Sequence, residues 1–357
     1  MLELKIYRKK ELADFVASEA FERLPFSPIS YHRAWSHAHN PRAKEDDVVL
    51  IVVYIQQQLA GYLGILPDDW CVDGKNYHLG WLSTILIHPD YRGKKIAQAL
   101  LSKACEVYQG RILMTEFTPE ALKLYLKSGR FLLGHQLQGF AFYYYFNFGY
   151  FLREHQKIKR FFPLISIVDR GVNAVLKGVY SLFKKKVNYR VSLDIDEEIA
   201  PFLEGVSGSD FRKKYEDFEW IIQYPWILKG TKKEMDSRYF FSDYDVTFKT
   251  FFLKIYDKNQ LKTVILFTER NRILKLQYIF GEVDAMVTEA VYQYMIAHQI
   301  SNIISFDERI NAVLKTKFHL YKKVRTRDFL IHKEFAELLP QNVKWTISGG
   351  DADCVFT

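Results

Sequence analysis

The first 150 residues alternate short runs of period-two hydrophobicity with windows of helical spacing. LELKIYR at the start reads as a short strand, while ELADFVASEAF and SPISYHRAWSHAH place their apolar residues at helical intervals. DDVVLIVVYIQQQLAGYLGIL gives two strand-forming runs split by a polar QQQ turn. In the next stretch, LPDDW, Asp68 and Asp69 are expected to shape a turn or border an acceptor, and GWLSTILI is another strand. From there Ala97, Leu100, Leu101, Ala104 and Tyr108 fall on one helical face. A strand RILMTEF, a helix from Pro119 to Ser128 and strand-forming sequence from Phe131 to Phe148 follow.

Between residues 151 and 186 the pattern changes. Past Pro163, Ile165, Val168, Val172, Val175, Leu176, Val179 and Leu182 keep a helical period, while Arg170, Asn173, Lys177 and a terminal KKK occupy the other face. This basic amphipathic helix has two readings. Its apolar stripe packs inward as a core face between two domains, or residues 151–190 meet an anionic membrane surface or an acidic partner. From Val187 the succession of elements begins again. VNYRVSLDI reads as a strand, EEIAPFLEGV and FRKKYEDFEWIIQYPWIL as helices, and VTFKTFFLKIY, TVILFTER and ILKLQYIF as strands. The helix EVDAMVTEAVYQYMIAHQ, the strand NIISF, the helix RINAVLKTKFHLY and late strands around DFLIHK and VKWTIS complete the series. The order predicts a duplicated α/β unit: residues 1–150, a helical connector 151–186, and residues 187–357.

Length and composition agree with this reading. A chain of 357 residues, 48% apolar and 26% charged, is long enough for two globular domains. Three scattered cysteines, Cys71, Cys105 and Cys354, suit neither a disulfide framework nor a cysteine zinc site, and point to a reducing, cytoplasmic setting. MLELKIYRKKELADF has no signal-like apolar region, and no run reaches the roughly 18 apolar residues of a membrane span. The net charge of +8 is local: ten Lys or Arg against Glu154 and Asp169 lie between Phe151 and Arg190. A sequence-specific nucleic-acid partner is therefore not expected.

The stretch LIHPDYRGKKIAQALL carries the most chemistry. An apolar run stops at His-Pro-Asp, a basic turn containing Gly93 follows, and a helix begins at once. Free amides at a helix start and the positive end of its dipole make such a corner suited to a phosphate, with Arg92, Lys94 and Lys95 adding charge. The stretch resembles the acyl-CoA loop of the GNAT family of N-acetyltransferases. Arg92 and Ala97 match the family pattern, and Lys95 stands where the family usually has glycine. TPEALKLYLKSGRF resembles the family's second landmark through Ala121, Leu124, Tyr125 and Gly129, with Thr118 in place of the usual Asn and Arg130 before Phe131.

The resemblance covers about residues 1 to 148 and implies a mixed, largely antiparallel sheet flanked by helices. In it, acetyl-CoA as co-substrate lies where the fourth and fifth strands splay. It implies backbone contacts from Ile85, Leu86 and Ile87 to the acyl and pantetheine portion, and from Gly93, Lys94, Lys95, Ile96, Ala97 and Gln98, with Arg92, to the pyrophosphate. Thr118 would border the same cofactor. Tyr125 matches the proton donor to the CoA thiolate, although a tyrosine there also suits a core. Glu116, at the end of RILMTEF, is a candidate base for a small-molecule or peptide amine, and Tyr62, Trp70 and Trp81 are candidates to line the acceptor pocket. His88 reads as structural or exposed, and His32, His37 and His39 lack metal-ligand spacing, so no metal is expected.

If the second half repeats this unit, its equivalent corner is GEVDAM, with two acids and no Arg or Lys, which would repel a pyrophosphate. The expectation is a tandem of two GNAT-like domains, the second degenerate for CoA. Two other readings stay open. One is a CoA-binding or scaffold protein without catalysis. The other follows a looser resemblance to aminoacyl transferases that act on cell-wall precursors.

Overall fold

Val48–Ile55 and Gln58–Val72 are buried along most of their length, as strands covered on both faces must be. The computed structural model describes residues 2–152, 161–204, 209–231, 237–341 and 343–357. These two runs are β2 and β3. They follow β1 (Leu2–Arg8), α1 (Lys9–Val16), α2 (Glu19–Glu22) and α3 (Tyr31–Ala38). Next come β4 (Lys75–Ile87), α4 (Ile96–Val107), β5 (Ile112–Met114), α5 (Pro119–Lys127), β6 (Phe131–Tyr143), α6 (Phe148–Phe151), α7 (Phe162–Ser181) and β7 (Tyr189–Ser192). The chain continues with α8 (Ala200–Glu204), α9 (Tyr215–Gln223), β8 (Leu228–Lys229), β9 (Tyr244–Asp245), β10 (Phe248–Asp257), β11 (Gln260–Arg270) and β12 (Ile273–Gly281). It ends with α10 (Ala285–Ala297), β13 (Asn302–Ser305), α11 (Glu308–Leu314), β14 (Tyr321–His332) and α12 (Lys333–Glu337).

The chain packs into two compact units that are discontinuous in sequence. One is Met1–Leu137, Leu203–Tyr244 and Arg327–Thr357; the other is Gln138–Phe202 and Asp245–Thr326. In the first, the strand order is β1-β2-β3-β4-β5-β14-β6. Pairing is antiparallel from β1 to β4, parallel between β4 and β5, and antiparallel between β5 and β14. In the second, the order is β7-β10-β11-β12-β13-β6. Its pairing repeats the series, antiparallel from β7 to β12, parallel between β12 and β13, and antiparallel between β13 and β6. Alternation along β2 builds two cores in the first unit. Ile51 and Val53 pack with Leu100, Leu101 and Ala104 of α4, whereas Leu50 and Val52 pack with Leu12, Phe15 and Phe21 of α1 and α2.

Segment 203–244 belongs to the first unit although it follows residue 187. Arg42 grips Asp217 through Nε and Nη2, both at 2.7 Å, and Lys213 Nζ sits 2.9 Å from both oxygens of Asp68. The turn expected at LPDDW is instead interior to β3. A buried Asp68 is tolerated there because Lys213, Arg42 and Trp81 Nε1 all reach it. RILMTEF shortens to the three residues of β5, since Glu116 turns to a φ of 52° and the Thr118 hydroxyl then caps α5. RINAVLKTKFHLY is helical only to Leu314. VKWTIS forms no strand. Trp345 packs edge-on to Trp70 at 4.7 Å, and the Thr346 main chain bonds Asp210, so the backbone is satisfied without a ladder.

The orientation of α7 in the second unit reverses the inward-packing reading. Its inward face mixes Leu176 and Tyr180, which join the core, with polar anchors. Asn173 exchanges hydrogen bonds with both main-chain groups of Phe146, at 2.8 and 2.9 Å, and the Tyr180 hydroxyl donates to Tyr144 O at 3.1 Å. Val168, Val172, Val175 and Leu182, expected in a core, are exposed.

Candidate acyl-CoA site

β4 and β5 pair only through Gly80 with Ile112, Trp81 with Leu113 and Leu82 with Met114. β5 then ends while β4 runs on to Ile87, so the strands part and, among the described residues, Ser83 to Ile87 have no strand partner on that side. A bulge marks the point of parting. Leu63 pairs with Ile85 and Ile65 with Leu82, leaving Ser83 and Thr84 opposite Gly64 alone. A Cβ at Gly64 would lie 2.9 Å from Thr84 Oγ1, so a side chain there would have to displace the Thr84 hydroxyl.

The free end of β4 leads through a 3-10 turn at Pro89–Tyr91 into α4. Gly93 has a φ of 81° and faces open space. Lys95 takes the left-handed conformation at the N-cap, with φ 59° and ψ 20°, and no side chain caps the helix. The first turn of α4 holds no acid and no side chain takes its free amides, and residues 92–95 are all exposed, so three cationic side chains face solvent beside it. The glycine usual in GNAT proteins at position 95 would reach the same backbone angles without a steric penalty.

A polar group occupies the region where the strands part. Tyr125 on α5 is buried, held edge-on between Phe117 at 6.1 Å and Phe131 at 6.0 Å. Burial, reinforced by the charge of Asp353, pushes its phenol well above the ordinary range, so it stays protonated through neutral pH. Ser83 in the bulge donates to Asp353, and Arg33 of α3 donates to Ser83. Arg33 itself lies 3.8 Å over the Trp226 ring. Burial raises the Asp353 carboxyl above the usual carboxylate range, and Glu116 adds to this, while Arg33 and Ser83 oppose it. Glu116 is ion-paired with Arg327 of β14 at 2.7 Å, and Arg327 also donates to Gly349 O at 2.6 Å.

Tyr125 and Glu116 therefore border one region with β4, and the basic corner lies at the end of that strand. Thr118 is committed to α5, accepting from Ala121 N at 3.2 Å. Tyr62, Trp70 and Trp81 are buried in the core, Trp70 stacking on Phe211 at 5.8 Å. Sequence reasoning missed Arg33, Ser83, Arg327 and Asp353, which come from four distant segments and carry no shared motif. A cavity of about 680 Å³ lined by Cys105, Gln109, Gly129, Arg130 and His332 lies near the opposite end of α4, roughly 17 Å along the helix from its first turn.

Residues 11–129, about a third of the chain, match the Acetyltransferase (GNAT) family. No curated protein sequence matches the chain. Among solved structures it is similar to an N-acetyltransferase from Anabaena variabilis, at 15% identity and TM-score 0.49, covering 92% of this chain and 72% of that one. A probable N-acyltransferase from Enterococcus faecalis shows 9% identity and TM-score 0.49, with 93% and 72% covered. The N-myristoyltransferase of Saccharomyces cerevisiae with bound myristoyl-CoA shows 12% identity and TM-score 0.47, with 92% and 82% covered. At such identities and scores no residue role follows from these likenesses.

Proposed function

We propose that the chain transfers acetyl from acetyl-CoA to the amine of a small molecule or peptide. The observation that carries this reading is the parting of β4 from β5 beside an uncapped, cationic helix start. The pyrophosphate lies on the amides of Gly93 to Gln98, with Arg92, Lys94 and Lys95 supplying charge, and the pantetheine runs along the main chain of Ile85, Leu86 and Ile87. Thr118 shapes the mouth by fixing the start of α5. The amine nitrogen attacks the thioester carbonyl, and a main-chain N–H of β4 stabilises the oxyanion as the C–N bond forms. The C–S bond then breaks, and Tyr125 gives its proton to the departing thiolate. The amine proton passes to a carboxylate. Glu116 is engaged by Arg327, so Asp353, partly accessible and raised above the usual range, suits that task better. Three buried cysteines scattered along the sequence fit a cytoplasmic setting.

The repeated strand order supports reading the two units as a tandem of GNAT-like domains. Calorimetric titration with acetyl-CoA tests the donor site, and absence of binding to folded protein overturns the reading. Tyr125→Phe should lower kcat about a hundredfold at unchanged acetyl-CoA affinity; undiminished turnover removes Tyr125 as the acid. With Asp353 as base, kcat/KM rises with pH through its elevated pKa, and Asp353→Asn abolishes that limb of the profile.

A further inference from the structure

Helix α7 exposes what helices normally bury. Val175 is 69% exposed, Leu182 just beyond its end 82%, Leu164 61% and Ile167 60%, and Val168 shares the same face. Gly171 and Gly178 fall on that face too, and a Cβ at either would meet nothing within 4 Å, so among the described residues nothing covers the stripe. The patch continues past the helix end, where Phe183 and Phe318, both exposed, stack at 5.6 Å, with Tyr321 and Val324 exposed further along the chain. The chain bearing it is cationic. Lys184, Lys185 and Lys186 follow the helix directly, Lys185 within 3.7 Å of Glu289, and Arg170, Lys177, Lys315, Lys322 and Lys323 are also exposed, whereas the helix's one acid, Asp169, is buried.

We propose that this face docks on an anionic lipid bilayer, with α7 lying in the interface. A contiguous aliphatic stripe needs an apolar phase, and the charge around it selects a negative headgroup layer over a neutral one. The helix lies on the bilayer and does not span it, since no described helix is long and apolar enough to cross a membrane. This inference does not rest on the acyl-transfer chemistry. An acidic protein would satisfy the lysines but leave the stripe in water. A second copy of the chain would cover the stripe but bring like charges together.

Sedimentation with vesicles of phosphatidylcholine, with and without phosphatidylglycerol, tests it. The full chain should pellet with the anionic vesicles, stay in solution with pure phosphatidylcholine, and bind less as salt rises. Leu164→Asp with Val175→Asp, both at exposed positions, should weaken binding roughly tenfold or more, as should Lys184→Glu with Lys186→Glu, with unfolding midpoints unchanged. Parent protein that stays in solution with anionic vesicles at low salt overturns the proposal. Equal pelleting of the Asp variant does so too. Sedimentation velocity supplies the remaining arm: a dimer that the Asp variant dissolves assigns the stripe to self-association and overturns the bilayer.

Discussion

Two strand-to-helix corners of this chain are built from the same parts and differ at the first helical turn. β4 enters α4 through Arg92, Gly93, Lys94 and Lys95, with no acid and no side-chain cap. β12 enters α10 through Glu282, Val283 and Asp284, and there Asp284 accepts from Val287 N at 2.9 Å while Lys262 Nζ sits 2.6 Å from its other oxygen. Both strands carry a bulge, at Ser83 and Thr84 in one and at Gln277 in the other. What differs is who satisfies the helix start. At α10 a carboxylate already accepts from a free amide and offsets the dipole, which leaves nothing for a phosphate to gain. At α4 no side chain takes those donors, and cations flank them. The same corner thus keeps its helix donors uncapped among cations or closes into a structural joint according to one capping residue and the sign of its neighbours.

The largest expected effect comes from moving acidity into the first corner. Gly93→Asp with Lys94→Glu should weaken acetyl-CoA about a hundredfold or more by calorimetry, from a parent stoichiometry of one per chain. Retained affinity, or two sites in the parent, breaks the comparison. Removing the cap from the second corner has a smaller effect. Asp284→Ala should cost about 1 kcal/mol in urea denaturation without creating a second acetyl-CoA site. Smallest is Lys95→Gly, which relieves a left-handed lysine and should stabilise the protein by roughly 0.5–1 kcal/mol with CoA affinity kept. A destabilised variant would show that the Lys95 side chain holds the corner.

The first corner was legible because everything it needs is local. Gly93, the flanking cations and the apolar spacing of α4 lie within one short window, and Tyr125 stands at a fixed spacing from Gly129. Asp353 was not legible, because its role depends on Ser83 and Arg33 arriving from other parts of the chain. The stripe of α7 misled for a different reason. Periodicity reports that a helix has two faces, and the inward one is chosen by partners, here the Phe146 main chain bonded by Asn173 and the Tyr144 carbonyl bonded by Tyr180. Trp70 looked like a pocket residue only while a turn was expected at LPDDW, where β3 in fact runs on through it.

The place of β14 between β5 and β6 bears on how the protein is made. A ribosome releases the chain from the N-terminus, so β5 and β6 emerge well before the strand that separates them. Until residues 327–332 appear, the nascent first unit carries two unpaired edges of the kind that invite wrong partners. Cutting the gene at the codon for residue 150 would make that transient state permanent, and the fragment should be insoluble even though it holds the whole GNAT segment.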